Sequence, residues 1–308
     1  MSNIKHICHF IEEYLQKFEK SLKKEFLLDD ILINKIANHI LFSGGKRLRP
    51  SLVFLFASFD KVKEEHYLLA ETVELIHNAT LLHDDIVDSS NIRHSQKTAH
   101  LVWDTKTAIL AGDFLLSLAL DKLQIIANPR ILSIFTKSLQ EICKGEIEEF
   151  SIPEKINLDC YLNRIYRKTA ILFAISCESA LILSNFSEDF ISNGFEYGKN
   201  LGMAFQIFDD ILPYISSSLN KPCEIDFENK IDTLPTILAR QAKLPIERCN
   251  TFDEQKKIIK NSNILDKSVE FALEYTRNSQ KSLEIFEDCQ SKEVLSCLLD
   301  TVLDKEAL

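Results

Sequence analysis

Apolar residues recur every three or four positions along most of the chain, which is the spacing of one face of an α-helix. Residues 64–88 show this period most clearly, through Leu68, Leu69, Val73, Ile76, Ala79 and Leu82. We find no comparable stretch in which apolar and polar residues alternate as they do in a β-strand. The pattern therefore predicts an all-α protein.

The same periodicity predicts where each helix begins and ends. Helices are predicted over residues 4–22, 31–41, 64–88, 108–123, 131–150, 161–183 and 195–215, from residue 50 and residue 233 onward, and as two or three segments over 253–303. Gly and Pro number only seven each in 308 residues, which favours long, uninterrupted helices. The polar segment 89–97 is predicted to be a loop. One all-α domain over residues 1–308 is the simplest architecture.

Composition narrows the function classes. The net charge of −10 argues against nucleic acid as the main partner. Eight cysteines without a CxxC pair, behind an N-terminus too polar for a signal peptide, predict a cytoplasmic protein with reduced thiols. No apolar run reaches the ~20 residues of a membrane span, so no integral membrane segment is expected.

Two acidic motifs stand at the polar ends of apolar helical runs. The first is DDxxD, with Asp84, Asp85 and Asp88, and the second is the pair Asp209-Asp210. Residues four apart on a helix share one face, about 6 Å apart along the axis. Paired carboxylates suit Mg²⁺, which prefers oxygen ligands and often shares them with substrate phosphates. Either motif alone also fits a solvated helix end.

A basic loop precedes the first acidic motif. The sequence GGKRLRP places Lys46, Arg47 and Arg49 just before a helix whose first turn holds Pro50. Helix N-termini favour anions, although an exposed charged turn is the alternative for any single cation. The spacing is not that of a Walker loop. Together, the two acidic motifs and the basic loop indicate a site for diphosphates and a divalent metal.

The succession of motifs resembles the trans-type polyprenyl diphosphate synthases, the head-to-tail isoprenoid synthase family. The segments that carry the resemblance are, in order, GGKRLRP, ELIHNATLLHDDIVD, TAH, AGDFLL, GEIEEF, YRKTA, YGKNLGMAFQIFDD, NKP and TLP. It covers residues 10–240, and later helices match only in character. The resemblance implies a helical bundle around a deep central cavity, most like long-chain (octaprenyl-type) members, and a homodimer.

The resemblance also implies substrates and ligands. Isopentenyl diphosphate would be bound by Lys46, Arg49, His77 and His94, where His94 replaces a more usual arginine. The allylic diphosphate would be bound by Arg93, Lys168 and Lys221. Mg²⁺, expected as three ions per site with substrate bound, would be held by Asp84, Asp88 and Asp209. The catalytic group would comprise Lys168, Thr169, Gln206, Asp84, Asp85 and Asp209, with Thr169 and Gln206 at the reacting centre.

Several positions depart from the family pattern. Pro213 replaces the last acid of the second motif and is expected to kink or end its helix. Lys97 stands where the family commonly has proline, Glu224 stands where it commonly has glycine, and Lys230 is one place off the usual lysine position. Three alternatives to an active long-chain synthase therefore stay open: a catalytically weak subunit that regulates an active paralogue, a short-chain (farnesyl or geranylgeranyl) synthase, and a cyclising enzyme. The isopentenyl-type residues argue against the cyclising enzyme.

Product length in the resembled family depends on residues just before the first acidic motif, where aromatic side chains stop growth. Here those positions are Ala79 and Thr80, followed on the same face by Ile76 and Thr72. All are small or aliphatic, and Ala79 lies ~7.5 Å along the helix axis from Asp84. We therefore expect an open tunnel and a product longer than geranylgeranyl, of the kind used for quinone side chains.

Overall fold

The computed structural model describes residues 2–26, 31–42, 44–93, 96–151, 155–215, 227 and 231–303. Its α-helices are α1 (Ser2–Glu25), α2 (Ile31–Leu41), α3 (Leu48–Ala57), α4 (Glu64–Val87), α5 (Ala99–Val102), α6 (Thr105–Ile126), α7 (Pro129–Ser151), α8 (Leu158–Ile165), α9 (Ile171–Leu183), α10 (Glu188–Ile215), α11 (Leu234–Gln241), α12 (Phe252–Lys260), α13 (Ile264–Ser282) and α14 (Gln290–Leu303). A 3₁₀ turn covers Ile246–Arg248. The all-α fold class is confirmed.

The helices pack in layers around α4 and α10. Helix α4 lies along α6 and also contacts α3 and α9, while α10 lies against α9 and α13. One large apolar cluster fills the middle, and a second joins α8, the C-terminal half of α10, α11 and α13. Among the described residues, no helix combines the length and the hydropathy that a membrane span requires.

The polar segment predicted as a loop contains a small β-hairpin. Strands β1 (Ile92–Arg93) and β2 (Gln96–Lys97) pair antiparallel, with Ile92 opposite Lys97. Two residues per strand are too few to produce a readable alternation, which is why the pattern missed them. The ring of His39 on α2 makes a hydrogen bond of 2.8 Å to the Lys97 carbonyl and so ties the hairpin to the bundle.

The segment 161–183, predicted as one helix, is interrupted by a π-helical turn. Helix α8 ends at Ile165, the π-turn covers Tyr166–Ala170, and α9 follows. A π-turn inserts one extra residue into the helix and is frequent at functional sites. The π-turn contains Lys168 and Thr169, two of the predicted site residues.

Pro213 does not end α10, which continues for two more residues to Ile215. Its ring removes the N–H that would bond the Asp209 carbonyl four residues earlier. Ile211 and Tyr214, on either side of the proline, are buried in the second apolar cluster. Burial of these two neighbours anchors the last turn and explains why the helix continues past the proline.

Two glycines of α10 allow its backbone to contact the backbone of the π-turn and of α9 directly. A Cβ atom at Gly198 would lie 2.5 Å from the carbonyl oxygen of Phe173. At Gly202 it would lie 2.6 Å from the Cα atom of Ala170. Side chains do not tolerate such distances, so only glycine permits this packing. The contact fixes the part of α10 that carries the second acidic motif against the π-turn.

Gly198→Ala is expected to destabilise the protein by about 1–3 kcal/mol, because the methyl group must displace backbone of α9. This exceeds the gain of about 1 kcal/mol that alanine brings to a helix interior relative to glycine. The measurement is the urea midpoint of unfolding. Ser192→Ala, at an exposed position of the same helix, is the control and should change stability by less than about 0.5 kcal/mol. Equal stability of both variants would contradict the close-packing argument.

Candidate active site

The basic loop is held in place by Arg47. Its backbone adopts a left-handed conformation, with φ of 50°. Its guanidinium pairs with Glu74 on α4 at 2.5 Å and also donates a hydrogen bond to the Leu41 carbonyl at the end of α2. Arg47 therefore ties two helices together around the loop. Lys46 is exposed on the same loop.

Arg49 has the properties of an anion-binding residue. Its guanidinium carbon lies 4.3 Å from the ring centroid of Phe173, a cation–π contact. Burial lowers the pKa of Arg49 to about 10, and Glu74 partly opposes that shift. Within the described part of the chain, its buried Nε atom has no hydrogen-bond partner. A buried guanidinium with an unused donor suits a diphosphate oxygen. His77 lies half-buried on α4, one turn beyond Glu74.

The first acidic motif lies at the C-terminal end of α4. Asp84 is in the last turn, and the Asp88 N–H donates to the Asp84 carbonyl at 2.8 Å. Burial raises the pKa of Asp84 to about 7, and the nearby Glu146 carboxylate adds to the shift. Burial also raises the pKa of Asp88, with Glu149 contributing. Negative charge is unfavourable at a helix C-terminus, so this group of acids favours a cation.

The donor set fits Mg²⁺ in a site that the substrate completes. Among the residues that the structure describes, no group of three or more His, Cys, Asp or Glu side chains has the arrangement of a complete metal site. Mg²⁺ commonly uses only one or two carboxylates and takes its other ligands from water and substrate phosphates. Asp84 and Asp88, on one face of α4, provide such a pair. Three ions per site remains a prediction.

In the described ranges of the chain, Asp85, unlike Asp84 and Asp88, makes an ion pair with an arginine. It is buried, and its Oδ1 atom accepts hydrogen bonds from Nε and Nη2 of Arg93 at 2.8 and 2.7 Å. Arg93 extends from β1, so this pair fixes the hairpin against α4. The structure thus gives Asp85 the role of positioning a predicted diphosphate ligand. A direct role of Asp85 in catalysis stays a prediction.

A chain of hydrogen bonds connects α8, the π-turn and α10, on the side of the site opposite the first acidic motif. The Thr169 hydroxyl donates to Gln206 Oε1 at 2.8 Å, and Gln206 Nε2 donates to Asp210 Oδ1 at 3.0 Å. The Tyr161 hydroxyl donates to the other Asp210 oxygen at 2.7 Å. Burial raises the pKa of Asp210, although these two bonds oppose the shift. Asp209, the predicted metal ligand, is half-buried beside it, and its role remains a prediction.

Lys168 sits between two carboxylates of α7. Its ammonium lies 3.0 Å from Glu146 and pairs also with Glu149. Burial lowers the pKa of Lys168, but Glu149 and Glu146 outweigh burial and raise it above its ordinary value. Lys168 is therefore a permanent cation facing the end of α4. Sequence reasoning missed both glutamates, although GEIEEF places them three apart, on one face of a helix.

One cleft brings the two acidic motifs together. It has a volume of about 160 Å³, and it is lined by Asp88, Glu149, Arg164, Ile165, Lys168, Thr169, Gln206, Asp210, Ile231 and Thr233. Arg164 is a lining residue that the sequence did not single out, and Asp210, part of the second acidic motif, had no predicted role of its own. His94 and Lys221, like Glu224 and Lys230, lie outside the described residues. The cleft can hold an anion against Lys168 and cations against Asp88.

Comparisons with known proteins agree with this geometry. The sequence model named polyprenyl synthetase matches residues 30–275. The chain belongs to the polyprenyl synthetase family. A relative of this polyprenyl synthetase, "Heptaprenyl diphosphate synthase component 2" of Geobacillus stearothermophilus, is 34% identical over 245 residues, covering 77% of this chain and 75% of the relative.

Two solved structures share the fold over nearly the full length. The decaprenyl diphosphate synthase of Rhodobacter capsulatus superposes with a TM-score of 0.92 at 29% identity and covers 98% of each chain. The polyprenyl synthase of Caulobacter crescentus CB15, complexed with calcium and isoprenyl diphosphate, gives a TM-score of 0.91 at 30% identity and covers 97% of each chain.

The predicted chain-length residues lie on α4 above the first acidic motif. Ala79 is 3% exposed and belongs to the central apolar cluster of this polyprenyl synthetase. Thr80 uses its hydroxyl locally, donating to the His77 carbonyl at 2.8 Å. Ile76 and Thr72, one and two turns further along, are fully buried. The open tunnel stays a prediction.

Asp84→Asn is expected to stabilise the metal-free protein by roughly 1–2 kcal/mol at pH 8. Each unit by which the pKa is raised corresponds to about 1.4 kcal/mol of lost folding free energy for the ionised carboxylate. The asparagine amide recovers only part of that free energy, because its surroundings must relax around it. Because the pKa of Asp84 is raised to about 7, the stability it contributes is complete below about pH 4 and is lost as pH rises through 7. The gain should therefore be small at pH 5. Calorimetry with a chelator present at both pH values measures it.

Asp85→Asn is the matched control for this experiment. It weakens the charge-assisted bonds to Arg93 and should lower the melting temperature at pH 8. A lower melting temperature for both variants would show that the Asp84 carboxylate is not strained in the metal-free protein.

Proposed function

We propose that this polyprenyl synthetase condenses isopentenyl diphosphate head-to-tail with an allylic diphosphate and releases a long-chain polyprenyl diphosphate. The observation that carries the proposal is the shared cleft, in which Asp88 of the first motif faces Lys168, Thr169, Gln206 and Asp210. The complex of the Caulobacter relative with isoprenyl diphosphate supports a substrate of this class. Mg²⁺ is the proposed metal, with Asp84, Asp88 and Asp209 as its ligands.

The reaction requires charge neutralisation, alignment and the exclusion of water. Mg²⁺, when bound, would neutralise the negative charge that develops on the departing diphosphate. Lys168 and Arg93 hold the allylic diphosphate, and Lys46 and Arg49 hold the isopentenyl diphosphate, so that the double bond lies in line with the allylic carbon.

Fixed dipoles and apolar walls protect the cation that ionisation produces. The bond from Thr169 to Gln206 holds both side chains in place, so their oxygen atoms stabilise the carbocation without reorganising. Buried apolar residues around α4 and α9 keep water from the cation. The released diphosphate accepts the final proton, and therefore no protein base is needed.

A long product is favoured over a short one. Ala79 and Thr80 offer little volume at the positions where an aromatic side chain would stop growth. The heptaprenyl and decaprenyl names of the two relatives point in the same direction. We therefore propose a product longer than geranylgeranyl, used as a quinone side chain and made in the cytoplasm.

Dimerisation is proposed from the outer face of α6. Leu110 is 66% exposed and Ile125 is 59% exposed, and Ile109 and Leu120 on the same helix are also exposed. A second copy of this chain would bury that face, consistent with a homodimer. The rival arrangement pairs a catalytically weak chain with an active paralogue. The word "component" in the name of the Geobacillus relative keeps that arrangement as the second candidate.

The purified single chain should convert farnesyl diphosphate and isopentenyl diphosphate, with Mg²⁺, into products longer than 20 carbons. The measurement is chromatography of radiolabelled products after dephosphorylation, with a chelator as the control that abolishes turnover. Activity that appears only after a paralogue is added would replace the proposal with the subunit alternative. An end product of 15 or 20 carbons would refute the open tunnel.

Ala79→Phe should shorten the product without abolishing turnover, because the ring would fill the space about 7.5 Å from Asp84 along the axis. Ala79→Ser changes the volume little and is the matched control, expected to keep the parent product. Product length is read in the same chromatographic assay. Unchanged length in the Phe variant would show that the growing chain does not pass Ala79.

A further inference from the structure

Arg164 lines the cleft beside Lys168, yet none of the roles described so far uses it. It lies on α8, one turn before Lys168, and its side chain is only 15% exposed. Its Nη1 atom lies 3.5 Å from Glu149 Oε1, and its Nη2 atom donates a hydrogen bond to the Asp232 carbonyl. These contacts hold the guanidinium in a fixed orientation at the cleft wall.

Glu149 is shared by two cations. One carboxylate oxygen faces Arg164 and the other pairs with Lys168, and Glu149 itself is 13% exposed. Two cations therefore contact one carboxylate inside the cleft. A larger and more highly charged anion can replace that carboxylate as their partner. Of the residues that line this cleft in the described part of the chain, Arg164 and Lys168 are the two cations.

Charge balance argues that Lys168 alone is insufficient. Its single charge faces Glu146 and Glu149, so that group is net negative without Arg164. With Arg164 included, the two glutamates and the two cations balance, so this group of four side chains adds no net repulsion to an incoming diphosphate. Of the five N–H donors of the guanidinium, the two contacts above use one each, which leaves donors for a bidentate contact with phosphate oxygens.

We propose that Arg164 is a diphosphate-binding residue that works with Lys168 on the allylic side of the cleft. The inference deepens the proposed function and rests on it for the identity of the substrate. Arg164 and Lys168 release Glu149 as the diphosphate enters and grip its oxygen atoms from α8 and from the π-turn. The bond to the Asp232 carbonyl keeps the guanidinium in position during this exchange.

The test is calorimetric binding of inorganic diphosphate in the presence of Mg²⁺, which needs no turnover. Arg164→Gln is expected to weaken binding about tenfold, since it removes a charge-assisted contact. Arg164→Lys keeps the charge and should recover part of the affinity. The matched control is Arg167→Gln, a cation three residues on that pairs instead with Glu148 and Glu141. It should bind within twofold of the parent protein.

Kinetics and melting temperatures separate binding from a purely structural role. Arg164→Gln should raise KM for the allylic diphosphate and leave KM for isopentenyl diphosphate within twofold. The proposal is wrong if Arg164→Gln binds diphosphate as tightly as the parent, or if the Lys variant is as weak as the Gln variant. It is also wrong if both KM values rise together with a lowered melting temperature.

The calorimetric measurement of diphosphate binding also distinguishes a failure of the Arg164 proposal from a failure of the proposed function. A parent protein that binds Mg²⁺-diphosphate but condenses no substrate, with binding lost in Arg164→Gln, would remove the proposed function and leave Arg164 as a diphosphate ligand. A condensing enzyme in which Arg164→Gln changes neither binding nor KM would remove only the present inference.

Discussion

The contact of α10 with the π-turn and α9 holds together the wall of the cleft that lies opposite the first acidic motif. Gly198 and Gly202 bring the backbones together where any side chain would collide with Phe173 or Ala170. Gln206 follows Gly202 by one turn, so its amide reaches Thr169 and continues the hydrogen-bond chain to Asp210. A wider helix spacing would break that chain first, although the fold could survive it.

The same packing places carboxylates where they are costly. Burial raises the pKa values of Asp84, Asp88, Glu146 and Asp210. Asp84 and Asp88 also lie at the C-terminal end of α4, where the helix dipole disfavours negative charge. A protein that needed only stability would not place acids there. In the proposed function, cations that arrive with the substrate would relieve the repulsion between these carboxylates, so the stability lost in the metal-free protein would be recovered as affinity for metal and substrate.

Much of the fold followed from the sequence because helical periodicity over long segments is a strong signal. The low number of glycines and prolines indicated long helices, and α4, α6 and α7 lie close to their predicted bounds. Helix α10 ends at the predicted residue but begins at Glu188, before the predicted start at residue 195. The misses are local. The π-turn keeps apolar spacing close to that of an α-helix and so left no trace in the pattern. Pro213 was expected to kink or end α10, and the helix continues for two residues past it, with Ile211 and Tyr214 buried on either side.

Site prediction had a different limit. The pair Asp84 and Asp88 could be predicted because both lie on one helix at a fixed spacing. Contacts between helices could not, since nothing in one segment says which side chain of another it will meet. Glu149 illustrates this: as the last acid of GEIEEF it reads as a solvated charge, yet it faces Lys168 and Arg164 inside the cleft. Asp85 shows the same limit, since the motif placed it in the predicted catalytic group but gave no sign of its buried contact with Arg93.

Helix α4 carries both the residues proposed to bind metal and the residue proposed to limit product length. Its last turn carries the acids that would bind metal, and Ala79 stands about 7.5 Å before Asp84 along the axis. In the proposed reaction, a growing chain whose diphosphate end is held at Asp84 and Asp88 passes Ala79. Because both groups are fixed on the same helix, the site of ionisation and the position that limits growth keep a constant separation. On this proposal, product length depends on side-chain volume along α4 and not on movement between domains.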